Sequence, residues 1–112
     1  MKEIIQLHIR PISVNESWQG KRYKTSKYKE WEKEMLYILP KRKIMNGDLE
    51  VQIIYYFKHS KKRDIDNPVK PTLDCLQKKG YFKNDNQIVK LAIEKKQRDK
   101  EGMDITFYEK AD

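Results

Sequence analysis

Between Leu49 and Phe57 the chain alternates without a break, with Leu49, Val51, Ile53, Tyr55 and Phe57 at every second position. Successive side chains of an extended strand point to opposite faces, so this run predicts a β-strand with one strongly apolar face. It is the longest strand candidate in the chain. Ile54 and Tyr56 make the second face apolar as well, too apolar for a free surface. Burial under helices is the expectation, with contact to a second copy of the chain as the alternative. Any fold for this sequence has to build a sheet around residues 49–57.

Residues 3–10 alternate in the same way, with Ile5, Leu7 and Ile9 on one side. The stretch Pro11 to Thr25 has no period and carries Lys21, Arg22 and Lys24, so it reads as a basic loop. From Ser26, read as an N-cap, Tyr28, Trp31, Met35 and Ile38 recur at helical spacing, and Pro40 closes that helix. Asn67 reads as the cap of a second helix with Pro68 at its first position. Val69, Leu73 and Leu76 form its apolar face, and it ends before Gly80. Val89, Leu91 and Ile93 alternate, a polar stretch around Asp99 to Gly102 suggests a hairpin, and Met103, Ile105 and Phe107 alternate again. The order strand, helix, strand, helix, strand, strand predicts an α+β two-layer domain: a mixed β-sheet with about two helices and a terminal hairpin. With 112 residues and no repeat, linker or low-complexity tract, residues 1–112 are expected to form one domain.

Charge narrows the classes of function. Residues 1–63 hold 15 basic and 7 acidic side chains, whereas residues 64–112 hold 10 of each, so the whole net charge of +8 lies in the first part. A basic stripe of this kind neutralises phosphates, which makes nucleic acid the leading partner, with a merely solubilising surface as the plainer reading. An anionic membrane is disfavoured, since the basic helix also carries Glu30, Glu32 and Glu34. No run approaches the ~20 apolar residues of a membrane-spanning helix, and Met1-Lys2-Glu3 does not open a signal peptide. Cys75 is the single cysteine, which excludes an internal disulfide and a Cys-rich zinc site. A soluble, cytoplasmic protein is expected.

Three carboxylates fall where chemistry is possible. Asp64 and Asp66 stand two apart just before a helix start, so in an extended segment they project to one side; Asp85 lies in the turn after that helix. Close like charges raise each other's pKa unless a cation sits between them, and all-oxygen ligands suit Mg²⁺ or Mn²⁺. Lys70, four residues after Asp66, is placed to meet a phosphate. The same residues also admit a plain structural account: acids ahead of a helix favour its capping and dipole, Asp is common in turns, and one lysine among many is ordinarily solvated.

The string Arg63-Asp64-Ile65-Asp66-Asn67-Pro68-Val69-Lys70-Pro71-Thr72-Leu73-Asp74-Cys75-Leu76, followed by Gly80-Tyr81-Phe82-Lys83-Asn84-Asp85-Asn86-Gln87-Ile88, resembles the RusA-type Holliday junction resolvases. Pro11-Ile12-Ser13-Val14-Asn15 is similar to that family's loop after its first strand, so the resemblance runs from about residue 11 to 88. It implies that Asp64, Asp66 and Asp85 hold a divalent metal, Mg²⁺ with Mn²⁺ able to substitute, and that Lys70 assists catalysis. It implies also a homodimer that binds four-way junctions by shape and nicks two strands symmetrically, in a bacterial or phage-infected cell. One departure is visible, because many relatives have a pair of acids in the turn and here the first is Asn84. Asp74 shares the helical face of Asn67 and Lys70 and is either a supporting partner of Lys70 or a plain surface acid.

The reaction implied is metal-assisted phosphodiester hydrolysis, with Lys70 either adding positive charge at the transition state or protonating the leaving oxygen. A junction must be cut at two opposed phosphates, which a two-fold dimer can do and one such site cannot. Lys21, Arg22 and Lys24 in the first loop and Lys61, Lys62 and Arg63 beside the carboxylates are the expected phosphate contacts. Trp18 and Tyr23 could stack on unpaired bases but more often such aromatics tuck against the core; Trp31 and Cys75 are expected in the core; His8 and His59 have no partner pattern. Two other readings stand beside the resolvase: a non-catalytic nucleic-acid-binding module, and a metal nuclease acting on flaps or forks.

Overall fold

The computed structural model describes residues 2–12, 18–19 and 23–110, with only the backbone for 18–19 and 23–24. Strand β1 is Lys2–Leu7. A short ribbon pairs β2 (Trp18–Gln19) with β3 (Tyr23–Lys24) inside the stretch that looked aperiodic, two residues per strand being too few to show a period. Helix α1 is Ser26–Ile38, β4 is Leu49–Phe57, α2 is Val69–Lys79, β5 is Ile88–Gln97 and β6 is Gly102–Glu109. The result is α+β: one mixed four-stranded sheet and two helices.

The sheet runs β1-β6-β4-β5, with β4 antiparallel to β6 and parallel to β5. The expected terminal hairpin is therefore absent. β4, α2 and β5 make a crossover unit, which lays β5 parallel beside β4. The chain then passes over the end of β4, where the Arg98 amide donates to the Phe57 carbonyl (2.9 Å) and the Lys58 amide donates to the Glu101 carboxylate (3.0 Å). β6 returns on the other side of β4. β5 carries Lys90, Glu94 and Lys96, charges that an edge strand can keep in water, whereas Met103, Ile105 and Phe107 of β6 are fully buried in the inner place. Gly102 sits at the return, and a Cβ there would lie 2.5 Å from the Leu7 carbonyl oxygen, so β1 and β6 can approach only across a glycine.

Both helices cover one face of the sheet. Tyr28, Trp31 and Met35 of α1 and Leu73, Cys75 and Leu76 of α2 meet Leu49, Val51, Ile53, Tyr55 and Phe57, as the strand's alternation required, while Ile54 and Tyr56 on the open face are half-buried. Trp31 is anchored by its indole N–H, which donates to the Arg10 carbonyl at 2.7 Å.

Both caps differ from expectation by a residue. Thr25, not Ser26, accepts from the Tyr28 amide (3.0 Å) and caps α1. Pro68, not Asn67, is the cap position of α2, because the Asp66 carbonyl takes the Val69 amide and the Asn67 side chain is turned to Asp64. Gly80, at φ +96°, ends α2 in the left-handed region, as its position predicted.

Thr72 is buried and polar: it accepts from the Tyr55 hydroxyl (3.0 Å) and donates to the Pro68 carbonyl (2.7 Å), tying the first turn of α2 to the sheet. Thr72→Val keeps the shape and leaves the Tyr55 hydroxyl unpaired, so stability falls by about 1–3 kcal/mol. Urea unfolding reads this as a lower midpoint at unchanged slope. Adding Tyr55→Phe to that variant should recover part of the loss; a double variant no more stable than Thr72→Val would refute the pairing.

Candidate active site

The chain leaves β4 at Phe57, makes a 3₁₀ turn over Ser60–Lys62 and reaches α2 through Asp64, Ile65, Asp66 and Asn67. This segment is held from beneath. The Lys95 ammonium of β5 donates to the carbonyls of Ser60 (2.8 Å) and Arg63 (2.7 Å), and the Arg63 guanidinium lies over the Phe57 ring at 5.6 Å. Lys95 escaped the sequence reading because nothing distinguishes it there from its neighbour Lys96.

Asp64 is exposed and accepts from the Asn67 amide nitrogen (3.2 Å). It lines a cleft of about 200 Å³ together with Lys62, Arg63 and Asn67. Asp66 is exposed and lines, with Lys70, a second groove between α2 and β5. Lys70 reaches the other way as well: its ammonium lies 3.0 Å from Asp74 and 3.5 Å from Asp85. Residues fifteen positions apart thus meet because the chain turns at Gly80 and the segment 80–84 runs back to the level of the first turn of α2. The hydrogen bond to Asp74 is the main cause that raises the Lys70 pKa, with the charges of Asp74 and Asp85 adding to it against desolvation. That ammonium is held protonated.

Asp85 opens the 3₁₀ turn Asp85–Gln87, whose geometry two neighbours fix. Asn84 accepts from the Asn86 amide (3.0 Å), so this residue serves as the cap of the turn. Gln87 accepts from the amides of Lys83 and Asn84, and donates to the carbonyls of Met45 and Gly47, each at 3.0 Å. Asn84 and Gln87 together form a capping box, a local signal that the sequence reading passed over, while the two carbonyl contacts of Gln87 lie forty or more residues away.

Lys70, Asp74 and Asp85 are therefore gathered, Asp66 borders the same lysine, and Asp64 faces the neighbouring cleft. Among the described residues no three carboxylate, imidazole or thiol side chains stand close enough together to enclose a metal ion. Asp64, Asp66 and Asp85 are accordingly not drawn to one point. Lys61 and Lys62 are exposed and Arg63 is half-buried beside Asp64. Lys21 and Arg22 lie outside the described residues, as do the side chains of Trp18, Tyr23 and Lys24 and the segment Ser13–Asn15. Cys75 is buried, as expected, and His8 and His59 are exposed.

A basic loop, exposed carboxylates and a lysine held between two acids thus stand along one side of the mixed sheet, and comparison with known proteins gives the class. The family model described as Endodeoxyribonuclease RusA matches residues 9–108, so the chain is an endodeoxyribonuclease that hydrolyses phosphodiester bonds in DNA. The crossover junction endodeoxyribonuclease RusA of Aquifex aeolicus (strain VF5) is 31% identical over 115 residues, covering 92% of this chain and 90% of that protein. The chain belongs to the RusA family. Membership sets aside the reading of a non-catalytic binding module.

Proposed function

We propose that Asp64, Asp66 and Asp85 hold a divalent ion, Mg²⁺ or Mn²⁺ in its place, and that Lys70 works beside it on the scissile phosphate. As a member of this family the chain resolves Holliday junctions and so binds branched DNA. The observation that carries the assignment of residues is the 3.5 Å approach of Lys70 to Asp85, which joins the two ends of the 64–85 block at the first turn of α2. The donor set supports the metal, since carboxylate oxygens reachable from solvent suit a hard cation that keeps several waters. When bound there, such an ion supplies charge neutralisation at the phosphate and activation of water.

The chain's own residues do the rest. The Lys70 ammonium, kept charged by Asp74, supplies positive charge where the phosphate gains negative charge. Asn67 orients the Asp64 carboxylate. Lys61, Lys62 and Arg63 hold flanking phosphates on a loop that Lys95 steadies, with Lys21, Arg22 and Lys24 extending the contact. Two opposed nicks call for two sites, so the working form is a homodimer. Among the described residues no helix is long and apolar enough to cross a membrane, and we place the enzyme in the cytoplasm of a bacterial or phage-infected cell.

The test is cleavage of a mobile synthetic four-way junction against linear duplex, with Mg²⁺ and with chelator. Paired nicks in the junction with Mg²⁺, none with chelator, and a junction gel shift that persists in chelator are expected. Cleavage that survives chelation removes the metal from the proposal, and equal cleavage of flaps or forks removes the junction preference.

A further inference from the structure

The lysines of β5 do not all face the same way. Lys90 and Lys96 stand opposite Glu50 and Tyr56 of β4, on the open face of the sheet, and both are exposed. Lys95 stands opposite the fully buried Tyr55, so its side chain leaves the strand on the face that the helices cover, in one row with Leu91 and Ile93. A charged group turned to an apolar face is costly unless its donors are taken up. Main chain takes them up here. Lys95 is half-buried, its ammonium donates to the Ser60 and Arg63 carbonyls at 2.8 and 2.7 Å, and among the described residues it pairs with no carboxylate.

The two carbonyls are the ends of one turn. The Ser60 oxygen also accepts from the Arg63 amide at 3.1 Å, so Lys95 fastens the turn at the point where it closes. The Arg63 oxygen lies in the peptide plane shared with Asp64, and holding that oxygen restrains the direction in which Asp64 leaves the turn. From the other side the Asn67 side chain donates to the Asp64 carboxylate at 3.2 Å. Asp64 is placed twice, its backbone through Lys95 and its carboxylate by Asn67. A cation beneath this loop also has a cost, because it stands beside a carboxylate assigned above to a dication, and like charges repel.

We propose that Lys95 is a positioning residue of the active site: by holding the turn Ser60–Arg63 it sets the place from which Asp64 reaches the metal. The proposal rests on the assignment of Asp64 to a divalent ion, and it adds a residue of β5 to a site otherwise built from the 64–85 block.

The test compares Lys95→Met, which keeps the stem and loses the donors, with Lys95→Arg, which keeps charge and donors. Lys96→Met, on the open face beside Glu94, is the control. Two readouts are taken without DNA. The first is hydrogen exchange at the amides of Lys62 and Arg63, which close the turn on the His59 and Ser60 carbonyls. It should quicken about tenfold in Lys95→Met, the order expected when hydrogen bonds to a charged group are lost, and stay at the parent rate in Lys96→Met. The second is Mn²⁺ affinity by titration. Loss of a group that orients a metal ligand weakens binding by about 10–100-fold, so Lys95→Met should bind that much more weakly, with part of the affinity recovered in Lys95→Arg. Removing a nearby positive charge would by itself tighten the binding of a dication, and a merely structural tie would lower the urea midpoint and leave the affinity alone. Should Lys95→Met unfold, Lys95→Gln, too short to reach both carbonyls, carries the same comparison. An unchanged exchange rate in the turn, or a folded variant that binds Mn²⁺ as tightly as the parent or more tightly, overturns the proposal. If that binding is lost in Asp66→Asn, the metal assignment stands and the role of Lys95 alone falls; a parent that binds no Mn²⁺ overturns both.

Discussion

Asp66→Asn should lower junction cleavage by about 10²–10³-fold, the scale seen when one charged or polar group aimed at a transition state is removed. Junction affinity in chelator should be unchanged, because the basic loop that grips phosphate is intact. Asp64→Asn and Asp85→Asn should behave alike, since each removes one carboxylate charge from the same proposed ion. Lys70→Ala should fall as far, with Lys70→Arg recovering part of the rate because its charge remains. Asp74→Asn touches the reaction only through Lys70 and should cost less, about 10–100-fold. Single-turnover cleavage and gel shifts on the same protein stocks separate the two effects. If Asp66→Asn cuts at the parent rate, the metal assignment is wrong; if it loses junction binding as well, the acid serves the fold.

The second large effect is on stability at alkaline pH. Burial raises the pKa of Tyr81 to about 12, and raises Tyr28 and Tyr55 further, the Tyr55 shift being partly opposed by its hydrogen bond to Thr72. In the unfolded chain these phenols ionise near pH 10. Above that pH the unfolded state sheds protons that the folded state keeps, so the stability these tyrosines contribute is whole below pH 10 and is lost as pH rises toward 12 and beyond. Each tyrosine steepens the fall by about 1.4 kcal/mol per pH unit. The urea midpoint should therefore hold steady from pH 7 to 9 and collapse by pH 11. Tyr81→Phe, which removes the hydroxyl bonded to the Pro40 carbonyl, should soften the slope by one group's share. Equal midpoints at pH 8 and pH 11 would show that the phenols ionise freely in the folded chain.

The sequence was most legible where one local pattern dictates one local structure. Alternation over 49–57 gave β4 and its buried face, the spacing of Tyr28, Trp31 and Met35 gave α1, and Gly80 marked the end of α2. Alternation reports which side of a strand is apolar but not which strand lies beside it. The insertion of β6 between β1 and β4 was therefore invisible, and a hairpin was the natural misreading of Asp99 to Gly102. The acids and Lys70 were legible as a block because their spacing is short and matches a known family. Their support was not: Lys95 under the loop and Gln87 under the acidic turn work through carbonyls more than thirty residues away. Even the site's main geometric fact, Lys70 lying between Asp74 and Asp85, depends on the length of α2 as much as on the residues themselves.

The place of β6 also bears on how the molecule is made. Among the described residues β1 pairs only with β6, joining Lys2 to Tyr108 and Leu7 to Met103. Within the four-stranded sheet, the strand that comes first in sequence therefore waits for the one that comes last. Until then Ile5 and Leu7 have no sheet to enter, and the inner edge of β4 stands open. Contacts of such long sequence separation slow folding, because the entropy of closing the loop precedes any gain from pairing. A chain truncated before Gly102 leaves β1 without its partner and should be cut by protease faster than the parent protein.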